Sequence, residues 1–518
     1  MLTGRHGLIL RKLTWTARGV RYAHATKQET QWPGWEVVIG IEVHAQLRSR
    51  HKLFSDACTS GYEDEPNTHV SAFDAGMPGT LPRLNPKCVE LAVRAAMALN
   101  ADVRPVSRFD RKHYFYSDLP TGYQITQRYS PIAKDGQLML SQSGVPVRIE
   151  QIQLEQDTAK TTFDTRRRMS SIDLNRAGTG LMEIVSKPDM RSPEEAADYV
   201  RTLQTLLRAV GASDGNMEQG SLRCDVNVSV NRPGDAPGTR CEIKNLNSVR
   251  FMMVAISSEV FRHIALLEGG TAVAQETRGF HEDRHETFKL RSKEDSPDYR
   301  YMPDPNIPPL TLTEGYLTSI RAKMPELPSE TRERLLNLGL SERDAGVLLS
   351  VDSGRDVGVD GSLEQGVVAY FDQLSRDHDP KTVVNWLTHE LLGQLTLRGK
   401  TFSDNTVSAS QMGEIIKLVQ QGNLTGNAGK TLLRHMLDHP SAASAMELAQ
   451  SLSLIVLEDD SLEQLCRDVL AAMPNESQAV RNGKMNVLNK ILGRVMKQSR
   501  GTANAQLAKR VLQDILRA

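Results

Sequence analysis

The sequence predicts a mixed α and β chain, strand-rich from residue 31 to 312 and helical beyond. Three observations carry that prediction. Short apolar–polar alternations recur through the first region, with the period of a half-buried strand. After about Leu327 the apolar residues recur at helical spacing instead. Between the two lies Met302-Pro-Asp-Pro-Asn-Ile-Pro-Pro309, which can continue neither a helix nor a central strand and so reads as a linker.

The elements follow in chain order. Residues 1–30 open with Arg5, Arg11, Lys12, Arg18, Arg21 and Lys27, interleaved with Leu8, Ile9, Leu10 and Leu13. An Arg-rich start without acids through residue 28 reads as a mitochondrial transit peptide, with a disordered basic tail as the alternative. Alternation then gives four strands with carboxylates on one face. Val37, Ile39, Ile41 and Val43 share a face, leaving Glu42 and His44 on the other. Gln153, Glu155 and Asp157 oppose Ile152 and Leu154. Arg223, Asp225 and Asn227 oppose Leu222, Cys224, Val226 and Val228. Glu242 and Lys244 oppose Cys241 and Ile243.

If those strands neighbour one another, they form an acidic wall with one imidazole, a donor set suited to Mg²⁺ beside phosphates. Taken singly, each pair is more often an ordinary solvated sheet face, and only the four together favour a site. Two further segments read both ways. The glycines of Asp173–Gly180 allow backbone N–H groups near a phosphate, or a plain hairpin. The aromatic run His113–Gln124 offers rings for stacking on a base, or for core packing.

The helical part divides at about residue 400, giving regions 313–400 and 401–518. Helices are expected from Pro328, over Val383–Leu391, Met412–Gln421 and Met485–Lys497. Gly426-Asn-Ala-Gly-Lys-Thr431 lacks a phosphate loop's first glycine, since position 424 is Leu, and reads as an inter-helix turn. The last helix buries Met485, Leu488, Ile491, Leu492, Val495 and Met496 and exposes Lys490, Arg494, Lys497 and Arg500. Gly501 is its expected stop. That basic face suits RNA phosphates or plain solvent.

Composition narrows the classes. The 518 residues hold 63 Lys+Arg against 63 Asp+Glu, so any nucleic-acid contact must be local. No run is long and apolar enough for a membrane span. Five scattered cysteines without a CxxC pair argue against a disulfide framework.

The motifs together resemble one family. Ile39–Leu47, Arg111–Tyr116, Gly122–Gln127, Ser171–Arg176, Leu181–Ser186, Gly220–Asn227, Glu242–Asn247 and Asp298–Pro303 look like signatures of the B subunits of glutamyl-tRNA(Gln) amidotransferases. Asn385-Trp-Leu387 and the 483–508 stretch extend the likeness, and the basic extension fits the mitochondrial form.

The resemblance implies an α+β fold: an antiparallel-sheet cradle domain, a helical domain and a small all-α tail domain. It implies a ligase that converts Glu-tRNA(Gln) to Gln-tRNA(Gln) in the mitochondrial matrix. ATP activates the γ-carboxylate of the tRNA-bound glutamate. Ammonia released by a separate glutaminase (amidase) partner then displaces phosphate. The pair is braced by a small third subunit.

Residue by residue, it implies Glu42, His44, Glu155 and Glu242 as metal ligands, with Asp225 and Asn227 as ligands or their partners. Lys244 would steady phosphates, with Asn227, Asn175 and Tyr123 also near ATP, and Lys490, Arg494, Lys497 and Arg500 would grip the tRNA. Three departures stand out. Gln156 replaces a second Glu, Thr121 replaces a Lys, and Cys58 alone remains of a zinc-binding set, so no structural zinc is expected. The same signatures also serve Asp-tRNA(Asn) amidation. A catalytically silent tRNA-binding scaffold would instead show an eroded acidic cluster, and Glu42, His44, Glu155, Asp225 and Glu242 are all present.

Overall fold

The computed structural model describes residues 32–517 except 62, 293–298, 458, 483, 500 and 501. The N-terminal extension over 1–30, Asp298, Arg500 and Gly501 therefore lie outside the described residues.

A nine-stranded sheet organises the first region. From edge to edge it runs Glu286–Ser292, Glu276–His281, Cys241–Leu246, Leu222–Asn231, Glu36–Gln46, Gly180–Ser186, Pro146–Gln156, Ala133–Met139 and Asp102–Val103. Every pairing is antiparallel except Cys241–Leu246 with Glu276–His281. The four carboxylate-bearing strands all belong to it, with only Gly180–Ser186 intervening.

One sheet face is apolar and covered by helices. Val37, Ile39, Ile41, Val226 and Val228 share a buried core with Tyr199, Val200 and Leu203 of helix Pro193–Ala209 and Met252, Ile256 and Val260 of helix Val249–Glu268. Pro193 begins its helix because Ser192 caps it, accepting from the Glu195 amide at 3.1 Å, and two acids follow in the first turn. Burying one face so completely fixes strand register, since a one-residue slip would turn the carboxylates into that core.

The Met302–Pro309 stretch is not a linker between domains. Arg300–Pro303 pairs with Asp110–His113, and Leu310–Thr311 pairs with Val106–Ser107. Asp304 accepts from Arg111 Nε at 2.8 Å, and Ile307 and Leu312 enter the cradle core. Proline is tolerated here because Pro303 lies in an edge strand.

The helical part holds two cores. One gathers Leu335, Phe371, Leu391, Ile415, Leu432 and Leu454; the other gathers Leu462, Val469, Ile491, Val495 and Leu512. No core boundary falls at residue 400, because helices Ala409–Gln420 and Gly426–Asp438 pack with the helices before them. The Gly426–Thr431 segment is the opening of a helix rather than a turn, with Thr425 capping it through the Ala428 amide at 3.1 Å. The basic helix runs Leu488–Gln498, after a short 3-10 turn at Met485–Val487. Met485 is consequently exposed, not buried. A final helix, Ala505–Arg517, completes the tail.

Candidate active site

Register places the polar side chains together. Glu42 stands opposite Asp225, His44 opposite Glu183 and Arg223, and Asn227 opposite Glu242. Glu183 in turn faces Gln153, two residues before Glu155. Residues directly opposite in a ladder share a face, so these groups line one wall.

At its centre, His44 Nδ1 lies 3.2 Å from Glu155 Oε1. His44, Glu155 and Glu183 bring ligand atoms within 4.8 Å of one another. Burial alone would push the His44 imidazole down, but its bond to Glu155 and the charges of Glu183, Glu155 and Asp225 outweigh burial and leave it at about 9. Burial, helped by Glu155 and Glu42, pushes the Glu183 carboxyl up to about 7. Glu155 stays below the ordinary carboxylate value despite its burial, because His44 bonds to it. Thr126 Oγ1 donates to Glu155 Oε2 at 3.3 Å, and Gln153 Nε2 donates to Glu183 Oε2 at 2.6 Å.

On one side of this centre, Asn227 Nδ2 donates to Glu42 Oε1 at 3.2 Å. Lys244 Nζ donates to Asp225 Oδ2 at 2.7 Å and sits 3.0 Å from Glu242 Oε1. Burial opposes the lysine's charge, yet the two carboxylates hold its pKa above the ordinary value. On the other side, Arg223 Nη2 reaches both oxygens of buried Asp157 at 2.9 Å, and Gln46 Nε2 adds a third bond at 3.0 Å. Lys112 faces the wall from the small sheet: burial lowers its pKa, but Glu155, Tyr301 and Glu183 raise it more.

The structure thus brings Glu42, His44, Glu155, Asp225, Asn227, Glu242 and Lys244 onto one surface. The tightest group contains Glu183 where the family resemblance had pointed to Glu242. The signal for Glu183 was present, a lone carboxylate in the apolar strand Leu181–Val185. Lys112 was hidden among the cations of Arg111–His113.

Asn175 and Tyr123 are differently placed. The Asn175 side chain is buried and used internally, accepting from the His69 amide at 2.8 Å and donating to the Glu65 carbonyl at 2.7 Å. Tyr123 lies under the Arg111 guanidinium, 4.2 Å from its ring centre. Gly178, with φ of +84°, serves packing: a Cβ there would stand 2.6 Å from Asp74 Oδ1. Its amide donates to the Asp157 carbonyl at 2.9 Å. In the aromatic run, Phe115 and Tyr116 are exposed, so core packing does not explain them. Gln156 is consumed in the fold, its Oε1 accepting from the Ile125 amide at 3.0 Å. Thr121 Oγ1 donates to the Tyr123 carbonyl at 2.7 Å.

In the tail, Arg494 and Lys497 are exposed opposite buried Leu488, Ile491 and Val495. Lys490 pairs with Glu476 at 2.8 Å while remaining largely open to solvent.

A mostly antiparallel sheet bearing an acidic wall with a central imidazole, joined to two helical cores, defines an α+β protein with a polar, cation-suited site, and comparison with known sequences specifies the family. Residues 37–318 match the GatB/GatE catalytic domain, and residues 369–516 match the GatB domain. The B subunit of the mitochondrial glutamyl-tRNA(Gln) amidotransferase from Laccaria bicolor is 57% identical, covering 95% of this chain and 94% of its own length. Its counterpart from Cryptococcus neoformans is 46% identical over 95% of this chain and 96% of its own. The B subunit of the aspartyl/glutamyl-tRNA(Asn/Gln) amidotransferase from Anaplasma marginale is 46% identical over 91% of this chain and 95% of its own. The chain belongs to the amidotransferase B-subunit family.

Proposed function

We propose that this chain is the amidating, tRNA-binding subunit of a mitochondrial glutamyl-tRNA(Gln) amidotransferase. Together with a glutaminase partner and a small third subunit, it converts Glu-tRNA(Gln) to Gln-tRNA(Gln) using ATP. The observation that carries this reading is the convergence of His44, Glu155 and Glu183 beside Glu42 on the cradle's polar face.

That donor set fits a divalent cation. Three carboxylates and an imidazole stand together; burial, helped by the charges of Glu155 and Glu42, holds Glu183 up to about 7, and a bound cation would favour its ionised form. His44, Glu155, Glu183 and Glu42 would hold Mg²⁺, which when bound neutralises phosphate charge beside the reacting carboxylate. The chain's own residues do the rest. Glu155 fixes the His44 ring, and Thr126 and Gln153 fix the carboxylates in turn. Lys244 and Lys112 keep their charge against the acidic background and would orient phosphate oxygens.

The tail supplies the second contact. Arg494 and Lys497 project from a helix whose other face is locked into the tail core. Reversing both charges should weaken Glu-tRNA(Gln) binding roughly tenfold and flatten the salt dependence by about two on a log–log plot. Unchanged affinity and slope would show that this face meets solvent only.

The decisive experiment is amidation of Glu-tRNA(Gln) by the assembled complex, with ATP or Mg²⁺ omitted in turn. Product that needs both is the expected result. Tight tRNA binding without Gln-tRNA(Gln) under any condition would instead make the chain a scaffold.

A further inference from the structure

The strand carrying Glu155 ends at Gln156, but the chain does not turn back there. The chain runs on through Asp157 into an isolated hairpin, Lys160–Asp164 paired with Met169–Asp173. The pair joins no other sheet, and residues 160–171 are exposed throughout. A lone two-stranded hairpin is marginal in water, so its position has to be imposed from its base. Arg176 imposes it, donating to the Thr158 and Ala159 carbonyls at 2.9 and 2.8 Å while its Nε lies 3.7 Å from Asp157. Asn67 clasps the other strand through the Ile172 carbonyl at 3.2 Å.

The tip concentrates charge. Arg166, Arg167 and Arg168 are consecutive, and Asp164 is the only acid between Lys160 and Ile172. Asp164 Oδ1 shapes the turn by accepting from the Arg166 and Arg167 amides at 2.9 and 3.0 Å. Among the described residues, only Arg167 of the three has a carboxylate nearby, at 3.8 Å and exposed. The wall's own cations are committed elsewhere: Lys244 and Lys112 are assigned above to the phosphates of ATP, and Arg223 and Arg176 lie against Asp157.

The substrate creates a demand for such a group. Its glutamyl moiety is esterified to the RNA 3′ terminus, so the terminal phosphates must lie beside an acidic wall that repels them. Five residues per strand extend the hairpin about 16 Å from its base, at roughly 3.3 Å per residue. We propose that the Arg166–Arg168 tip grips the phosphates of the unpaired tRNA 3′ end as the aminoacyl group enters the wall. This inference rests on the function proposed above.

The test uses the assembled complex carrying R166Q, R167Q and R168Q together, with binding and amidation measured separately. Intact Glu-tRNA(Gln) should bind roughly tenfold more weakly, and its salt slope should fall by about two. A tRNA trimmed of its unpaired 3′ nucleotides should bind the variant and the unaltered complex within about twofold. The amidation rate at saturating tRNA and the glutaminase activity should stay within about twofold. Equal affinity for intact tRNA, or equal weakening for the trimmed one, would overturn the proposal. So would loss of co-elution with the other subunits, which would make the hairpin a protein interface. If no complex amidated, the functional reading would fail, and the binding comparison would still decide the hairpin.

Discussion

Replacing Glu42 with glutamine in the assembled complex should lower Gln-tRNA(Gln) formation by roughly a hundredfold or more, leaving glutaminase activity intact. The reason is electrostatic. Glu42 faces Asp225 across the ladder and accepts from Asn227 at 3.2 Å. Glutamine has the same shape and keeps an oxygen for Asn227, so strand register and core stay as they are. What disappears is one negative charge and one anionic oxygen, in a site proposed above to hold a cation and phosphates. Losing one preorganised electrostatic contact in such a site typically costs about two to three orders of magnitude in rate. Glu268→Gln, on an exposed helix end, serves as the control and should change nothing. If Glu42→Gln amidated at the unaltered rate, the wall would not be the reaction site. If glutaminase activity fell equally, the substitution would be acting through assembly.

Much of this site was legible because strand alternation is strict. Glu42 beside His44, Asp225 beside Asn227 and Glu242 beside Lys244 could be placed on faces from period two alone. What alternation cannot give is which strand lies next to which. Strand Gly180–Ser186 had to be inserted between Glu36–Gln46 and Pro146–Gln156 before Glu183 could meet His44 and Glu155. Proline misled for a related reason. Met302–Pro309 breaks regular structure locally, yet edge pairing and the Arg111–Asp304 bond return it to the cradle. Asn175 misled because a polar side chain in a glycine-rich turn looks the same in sequence whether it meets a ligand or its own backbone.

The largest expected effect on stability lies behind the sheet, at Glu259. This carboxylate is fully buried in helix Val249–Glu268 and holds the outer strands to it. It accepts from Arg262 Nη2 at 2.6 Å, His263 Nε2 at 2.9 Å and Thr287 Oγ1 at 2.7 Å, with Arg278 Nε at 3.1 Å. Cys241 joins His263 and Glu259 in a grouping that could in principle ligate a metal. Here, however, two guanidiniums already neutralise the carboxylate, and one of them, Arg262, donates to the Cys241 sulfur at 3.4 Å.

Glu259→Gln removes the one buried acid that Arg262, Arg278 and His263 share and turns a donor toward donors. Breaking such a pair from one side costs about 3–5 kcal/mol. The pH dependence follows from the depressed carboxyl. Burial pushes it up, but His263 and Arg262 hold it far below the ordinary range. Its contribution is therefore complete above the unfolded value of about 4.3 and drains away as pH falls toward the folded value. Urea unfolding can be followed by tryptophan fluorescence in a background where Trp15, Trp35 and Trp386 are Phe, leaving Trp32, whose ring centre lies 6.1 Å from that of Phe261 on helix Val249–Glu268. The variant should unfold at clearly lower urea at pH 7, and the gap should narrow by pH 3.5. A gap that is absent at pH 7, or that stays constant across the range, would mean that the cluster does not hold the sheet edge to its helix.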